Sequence, residues 1–320
     1  MPNDIKILNH KIGLGKSVQV NMDFARLNTR SKIDIPIIVE RSKKNGPCLL
    51  LIGGIHGDEI NGIEIVRQIV AKGLNKPTKG TIICIPLLNV FGFINQTREF
   101  PDGRDLNRVF PGSEKGSLAS RFAYHLMKEV IPYVDYCIDF HTGGAQRFNF
   151  SQTRINGDDE ETLNLAKVFG SPFIVLAKNR ERSFRDSLVK LGKKVILFEG
   201  GKSHDLNKTV TKVGVQGAIN IIHQLGLADL SDKISVNNPS KPPIIIKSSK
   251  WIRAKHSGMY RSAVSAGQKV EKDTKLGSIS DPFGHFEKTF KSKETGYVLN
   301  SNHAPVVNQG DALLHIGFEE

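Results

Sequence analysis

Only three cysteines occur in 320 residues. An odd count gives no disulfide framework, and Cys48, Cys84 and Cys137 each fall in an apolar, strand-like run where a free thiol acts as a small hydrophobe in a reducing compartment. No apolar run reaches the length of a membrane span, and the first twenty residues, polar and charged, lack the apolar centre of a secretory signal. The expectation is a cytoplasmic chain with no membrane partner. The lysines lie in short scattered groups, with no arginine-rich arm, no heptads and no aromatic-glycine ladder of the kind that reads single strands. The formal charge of +13 therefore reads as a solvated basic face that suits a small anionic ligand, with no nucleic acid expected.

What is present is organised around residues 47–62. Cys48 to Ile52 is an unbroken apolar run, the signature of a strand buried on both faces, and Gly53-Gly54 ends it in a sharp turn. His56 and Glu59 follow, three residues apart at the entrance to a helix predicted from Ile60, Ile63, Val66, Ile69 and Val70 and closed by Gly73. That spacing can turn an imidazole and a carboxylate toward one zinc ion, although such a pair also arises by chance. His141, between the strand-like run 134–140 and Thr142-Gly143-Gly144, is the candidate third ligand. It too sits at the carboxyl end of a strand, where ligands of open α/β sheets collect.

Two further segments carry chemistry. The long polar stretch 89–111 shows little periodicity, and in its centre Asn107-Arg108 offers an amide beside a guanidinium, a pair suited to holding a substrate carboxylate. Pairing of these arginines with Asp102 and Asp105 in a surface loop is the competing explanation. Glu199, directly after the apolar strand 194–198 and before Gly200-Gly201, is placed to act as general base on water activated by a metal, or equally to cap a turn.

Strands and helices alternate up to residue 228: strands near 18–20, 35–39, 81–87 and 172–177, helices near 117–130, 159–169, 183–191 and 211–225. The fold class is thus α/β, a mixed central sheet flanked by helices, in a catalytic domain of residues 1–228. A linker rich in Ser, Asn, Asp, Lys and Pro is expected at 229–243. Residues 244–320 read as a smaller all-β domain, because the segment from Ser257-Gly258 to Ile279 is echoed by that from Thr295-Gly296 to Gly317. This tail resembles the lipoyl/biotinyl hairpin module but lacks the lysine that would carry the prosthetic group.

Taken together, the segments 53–59, Gly103-Arg104-Asp105-Leu106-Asn107-Arg108-Val109-Phe110-Pro111-Gly112, 139–143 and 199–201 resemble those of the succinylglutamate desuccinylase/aspartoacylase family, related to the zinc carboxypeptidases, and they come in that family's order. The resemblance implies one Zn2+ per chain held by His56, Glu59 and His141, with Glu199 as general base and Asn107 and Arg108 as the clamp for the substrate carboxylate. Arg98 is the arginine expected to polarise the scissile carbonyl, with Arg104 as the alternative. The implied reaction is hydrolysis of the amide bond of a small N-acyl amino acid. A zinc carboxypeptidase acting on acidic or modified peptides and a non-enzymatic basic binding module are the competing functions, and homo-oligomerisation is left open.

Overall fold

A computed structural model describes residues 4–23, 32–234 and 242–319. The expected linker 229–243 lies partly outside them. The strand Cys48–Gly53 lies inside a sheet of thirteen strands, between the parallel strands Thr81–Ile85 and Tyr136–Gly143. Its residues alternate strictly between two apolar cores. Cys48, Leu50 and Ile52 pack with Phe91, Phe100, Phe122 and Phe184, whereas Leu49 and Leu51 pack with Ile65, Ile69, Phe169 and Ile222. This is the period of two that a pleated strand imposes when both faces are covered by helices. Truncating one such leucine to alanine should destabilise the fold by about 2–5 kcal/mol.

The helices divide accordingly. Leu118–Glu129 and Phe184–Lys190 contribute to the first core, and Ile60–Ala71, Glu160–Phe169 and Lys208–Gln224 to the second. Side-chain caps start most of them: Ser117, Asp159, Ser183 and Asn207 each accept from a backbone N–H two or three residues on. The capping by Asn207 begins the last of these helices earlier than the expected residue 211.

Beyond the parallel centre, the strand Lys194–Lys202 pairs in parallel with Tyr136–Gly143 and antiparallel with Arg147–Ile155. Both Tyr136–Gly143 and Lys194–Lys202 run further than the apolar pattern indicates. Each continues past its last apolar residue, so His141 and Glu199 lie within strands, opposite one another in register. The stretch 89–111 is also more ordered than expected. It holds a helix at Val90–Asn95, capped by the Asn89 side chain accepting from Gly92 N at 2.9 Å, and a 3-10 turn at Leu106–Arg108. A helix of under two turns is too short to leave a readable period.

The C-terminal region is all β. Ser248–Arg253, Ala312–Phe318 and Gly296–Asn302 pair antiparallel in sequence, and Gly296–Asn302 pairs with Arg147–Ile155, so these strands continue the central sheet. A separate four-stranded sheet, which includes Gly258–Ser262 and Lys275–Ser280, packs on them around Tyr260, Leu276, Ile279, Val298, Leu314 and Ile316.

Candidate active site

A cleft of about 1020 Å3 opens over the carboxyl ends of the parallel strands. His56, Glu59 and His141 are 2%, 2% and 3% exposed in it, and one ligand atom from each lies within 4.8 Å of the others. Glu59 occupies the cap position of the helix Ile60–Ala71 without capping it. Its carboxylate is turned into the cleft instead, where Oε1 is 2.7 Å from His56 Nδ1 and Oε2 is 2.9 Å from His141 Nδ1. The loop that carries His56 and Glu59 depends on Gly57, because a Cβ there would stand 1.9 Å from the backbone of Gly92. Any larger residue would push the loop off the helix Val90–Asn95.

The far nitrogens of both imidazoles also face carboxylates. His56 Nε2 is 3.1 Å from Asp105 Oδ1, and His141 Nε2 is 2.9 Å from Asp139 Oδ2. The Asp105 hydrogen bond fixes the tautomer and ring orientation of His56 with Nδ1 toward Glu59, whereas the contact of His141 with Asp139 is one of charge without a hydrogen bond. Burial works against charge throughout this cluster, yet the mutual attraction wins. Burial opposes an imidazolium at His141, but Asp139 and Glu59 hold its pKa well above the ordinary value; Glu59 is likewise desolvated, but His56 and His141 pull its pKa well below the carboxylate range. Two imidazoles and one carboxylate, buried and converging, form a donor set that fits Zn2+ with a coordination position to spare.

Arg98 reaches the same cluster. Its Nη1 donates to Glu59 Oε1 at 3.0 Å, and its Nε and Nη2 donate to Asp105 Oδ2 at 3.1 and 2.9 Å. Arg104 does not. It lies on the loop surface, donates to Asp102 Oδ2 at 3.3 Å and is absent from the cleft lining, so the surface ion pair accounts for it. Asn107 and Arg108 do line the cleft. Asn107 is also structural: its Oδ1 accepts from Phe184 N at 2.8 Å, while Arg108 Nη1 donates to the Asn107 carbonyl at 2.6 Å.

Glu199 lines the cleft from the strand next to His141. Burial raises its pKa against the opposing pull of Arg154 and His141, and its Oε2 accepts from Asn149 Nδ2 at 2.7 Å. The Glu199-Gly200-Gly201 segment forms an irregularity in the pairing with both neighbouring strands. Gly201 adopts φ +75°, a conformation costly for a residue with a Cβ.

Several lining residues have no signal in the sequence. Arg154 and Arg185 lie inside elements whose patterns read as ordinary amphipathic structure, and Trp251, Arg253, Asn300 and Asp311 come from the C-terminal region. Only the spacing of Asp105 and Asp139 to the named ligands could have drawn attention to them. Tyr260 and Tyr297, the aromatic residues of the echoed segments, are both absent from the lining.

A family model for the succinylglutamate desuccinylase/aspartoacylase catalytic domain matches residues 45–225. The N-alpha-acetyl-L-2,4-diaminobutyric acid deacetylase of Halomonas elongata is 26% identical over 298 residues, 88% of this chain and 85% of that protein. In fold, a succinylglutamate desuccinylase/aspartoacylase of Rhodobacter sphaeroides superposes with TM-score 0.83 at 23% identity, covering 94% of this chain and 95% of the other. The product-bound ectoine utilization protein EutE (DoeB) of Ruegeria pomeroyi gives 0.82 at 19% identity, covering 99% of both chains. With a model match over more than half its length, the chain belongs to the succinylglutamate desuccinylase/aspartoacylase family.

Proposed function

We propose that this protein is a zinc-dependent deacylase that hydrolyses the amide bond of a small, anionic N-acyl amino acid. The observation that carries this reading is the convergence of His56, Glu59 and His141 on one point, with Glu199 in register beside His141 on the adjoining strand. A Zn2+ held by His56 Nδ1, His141 Nδ1 and Glu59 would supply Lewis acidity at neutral pH. The remaining chemistry belongs to the chain. Glu199, desolvated and with a raised pKa, takes a proton from the attacking water and delivers it to the departing amine. Arg98, at the edge of the metal-ligand cluster, stabilises charge that develops on the carbonyl oxygen. Asn107 and Arg108 bind the substrate carboxylate.

The anionic character of the substrate is supported by two arginines of the cleft lining. Arg154 Nε and Arg185 Nη1 are buried without a hydrogen-bond partner among the described residues, and burial with the nearby Arg154 lowers the Arg185 pKa to about 10. A carboxylate entering beside them would relieve both deficits.

The test is a substrate panel on zinc-loaded protein: N-acetyl-L-2,4-diaminobutyrate, N-acetyl-L-aspartate, N-succinyl-L-glutamate and short acidic peptides. Turnover of one or more N-acyl amino acids, lost on chelation and in Glu199→Gln, is expected. Turnover of peptides alone would replace the deacylase reading with a carboxypeptidase, and activity indifferent to chelation would end the zinc reading.

A further inference from the structure

Glu199 is held by a chain of amides that ends in the C-terminal region. Asn149 Nδ2 donates to Glu199 Oε2 at 2.7 Å, and Asn149 Oδ1 accepts from Asn300 Nδ2 at 2.8 Å. Asn149 and Asn300 are 4% and 2% exposed. They sit opposite one another on the paired strands Arg147–Ile155 and Gly296–Asn302, and Asn149 also faces Gly201, two residues beyond Glu199. Three neighbouring strands thus contribute one residue each to an unbroken polar line across the sheet.

The direction of this line is dictated by chemistry. An ionised carboxylate only accepts, so Asn149 must turn its NH2 to Glu199 and its carbonyl to Asn300, and Asn300 must then present its own NH2. Asn300 does so although its own Oδ1 is left buried without a partner among the described residues. An arrangement selected only for folding would avoid an orphaned buried carbonyl.

We propose that Asn149 and Asn300 are positioning residues for the catalytic base: Asn300 fixes the orientation of the Asn149 amide, which clamps Glu199 Oε2 and leaves Oε1 as the oxygen that exchanges a proton in the cleft. The inference rests on the assignment of Glu199 under Proposed function, and it makes the C-terminal strands part of the catalytic apparatus. Neither asparagine touches the reacting atoms in this scheme. Each acts through Glu199.

Asn300→Asp is nearly isosteric but replaces the donor with an acceptor. In zinc-loaded full-length protein assayed on the best substrate of the N-acyl amino acid panel, it should lower kcat about 10–100-fold with KM within about twofold, as expected when a reacting group is misplaced. Asn149→Ala should have at least as large an effect. The double variant should be no slower than Asn149→Ala alone, because Asn300 has no other route to Glu199. Multiplicative losses in the double variant, or unchanged kcat in the folded single variants, would overturn the proposal. Asn300→Ala removes the same donor and serves if the aspartate variant does not fold. Crystal structures of the wild type and of either Asn300 variant give a readout that needs no substrate. Displacement of the Glu199 carboxylate supports the relay, and a Glu199 that stays in place refutes it. Should the wild type hydrolyse nothing in the panel, the deacylase reading fails while the crystal structures still decide whether the asparagines position Glu199.

Discussion

The floor and the wall of the cleft are both rich in charge, yet they are built on opposite plans. On the floor, His56, Glu59, His141, Asp105 and Arg98 are joined by hydrogen bonds of 2.7–3.1 Å, and Asp139 adds a charge contact of 2.9 Å to His141 Nε2, although its own oxygens lack a hydrogen-bond partner among the described residues. On the wall, Arg154 and Arg185 are desolvated with nitrogens left unsatisfied among the described residues. A cluster closed on itself is stiff and depends on each member, whereas an unsatisfied one gives up stability in return for affinity toward whatever completes it.

Removing a member of each separates the two plans. Glu59→Gln leaves two buried imidazoles without their shared counter-charge and should destabilise the metal-free protein by about 3–5 kcal/mol in urea unfolding. A loss under about 1 kcal/mol would mean that the floor is not closed. Asp139→Asn keeps the shape but weakens the hold on His141 Nε2, and zinc affinity measured by competition with a chromogenic chelator should fall about 10–100-fold.

His315 lies between these cases. It is 6% exposed, stacked on Trp251 at 4.5 Å between centroids, and burial reinforced by Arg154 pushes its pKa down to about 3. The unfolded chain, with histidine near its ordinary value, binds more protons in the window between the two pKa values, so this contribution is complete above about pH 6.5 and is lost as the pH falls toward 3. Between pH 7 and 5 the loss should be about 2 kcal/mol. His315→Phe, which retains the stack, should flatten that part of the dependence of Tm on pH, and an unaltered slope would show that another group is responsible. The smallest effect is expected on the wall. Arg185→Met should change stability by less than about 1 kcal/mol in either direction but raise KM for an anionic substrate about tenfold, the size of one charge-assisted hydrogen bond. A marked loss of stability would place Arg185 with the floor.

The contrast also marks what the residues disclosed in advance. Cys48–Gly53 announced itself because both of its faces are covered, and His56 with Glu59 followed because both stand on one short loop where spacing translates into proximity. Arg154, Arg185, Asn149 and Asn300 were silent. Arg154, Asn149 and Asn300 are placed by the register between strands up to 151 residues apart in sequence, and a polar residue inside a strand looks the same whether it faces solvent or the Glu199 carboxylate; Arg185 stands on the helix Phe184–Lys190, where the pattern likewise hides which residue meets the cleft. The surface placement of Arg104 was hidden for the same reason: only the fold shows that it pairs with Asp102 and that Arg98 turns inward.

The pairing of Gly296–Asn302 with Arg147–Ile155 has a practical consequence for anyone shortening the gene. A fragment ending near residue 228 would keep every proposed metal ligand and the proposed base, yet it would bare the backbone of residues 147–149 and the outer side of Phe173–Leu176, which pairs here with Ile244–Ile246, a seam ready to join any other exposed strand it meets. Insolubility or silence in such a fragment would report that open seam, and would say nothing about the chemistry of the cleft.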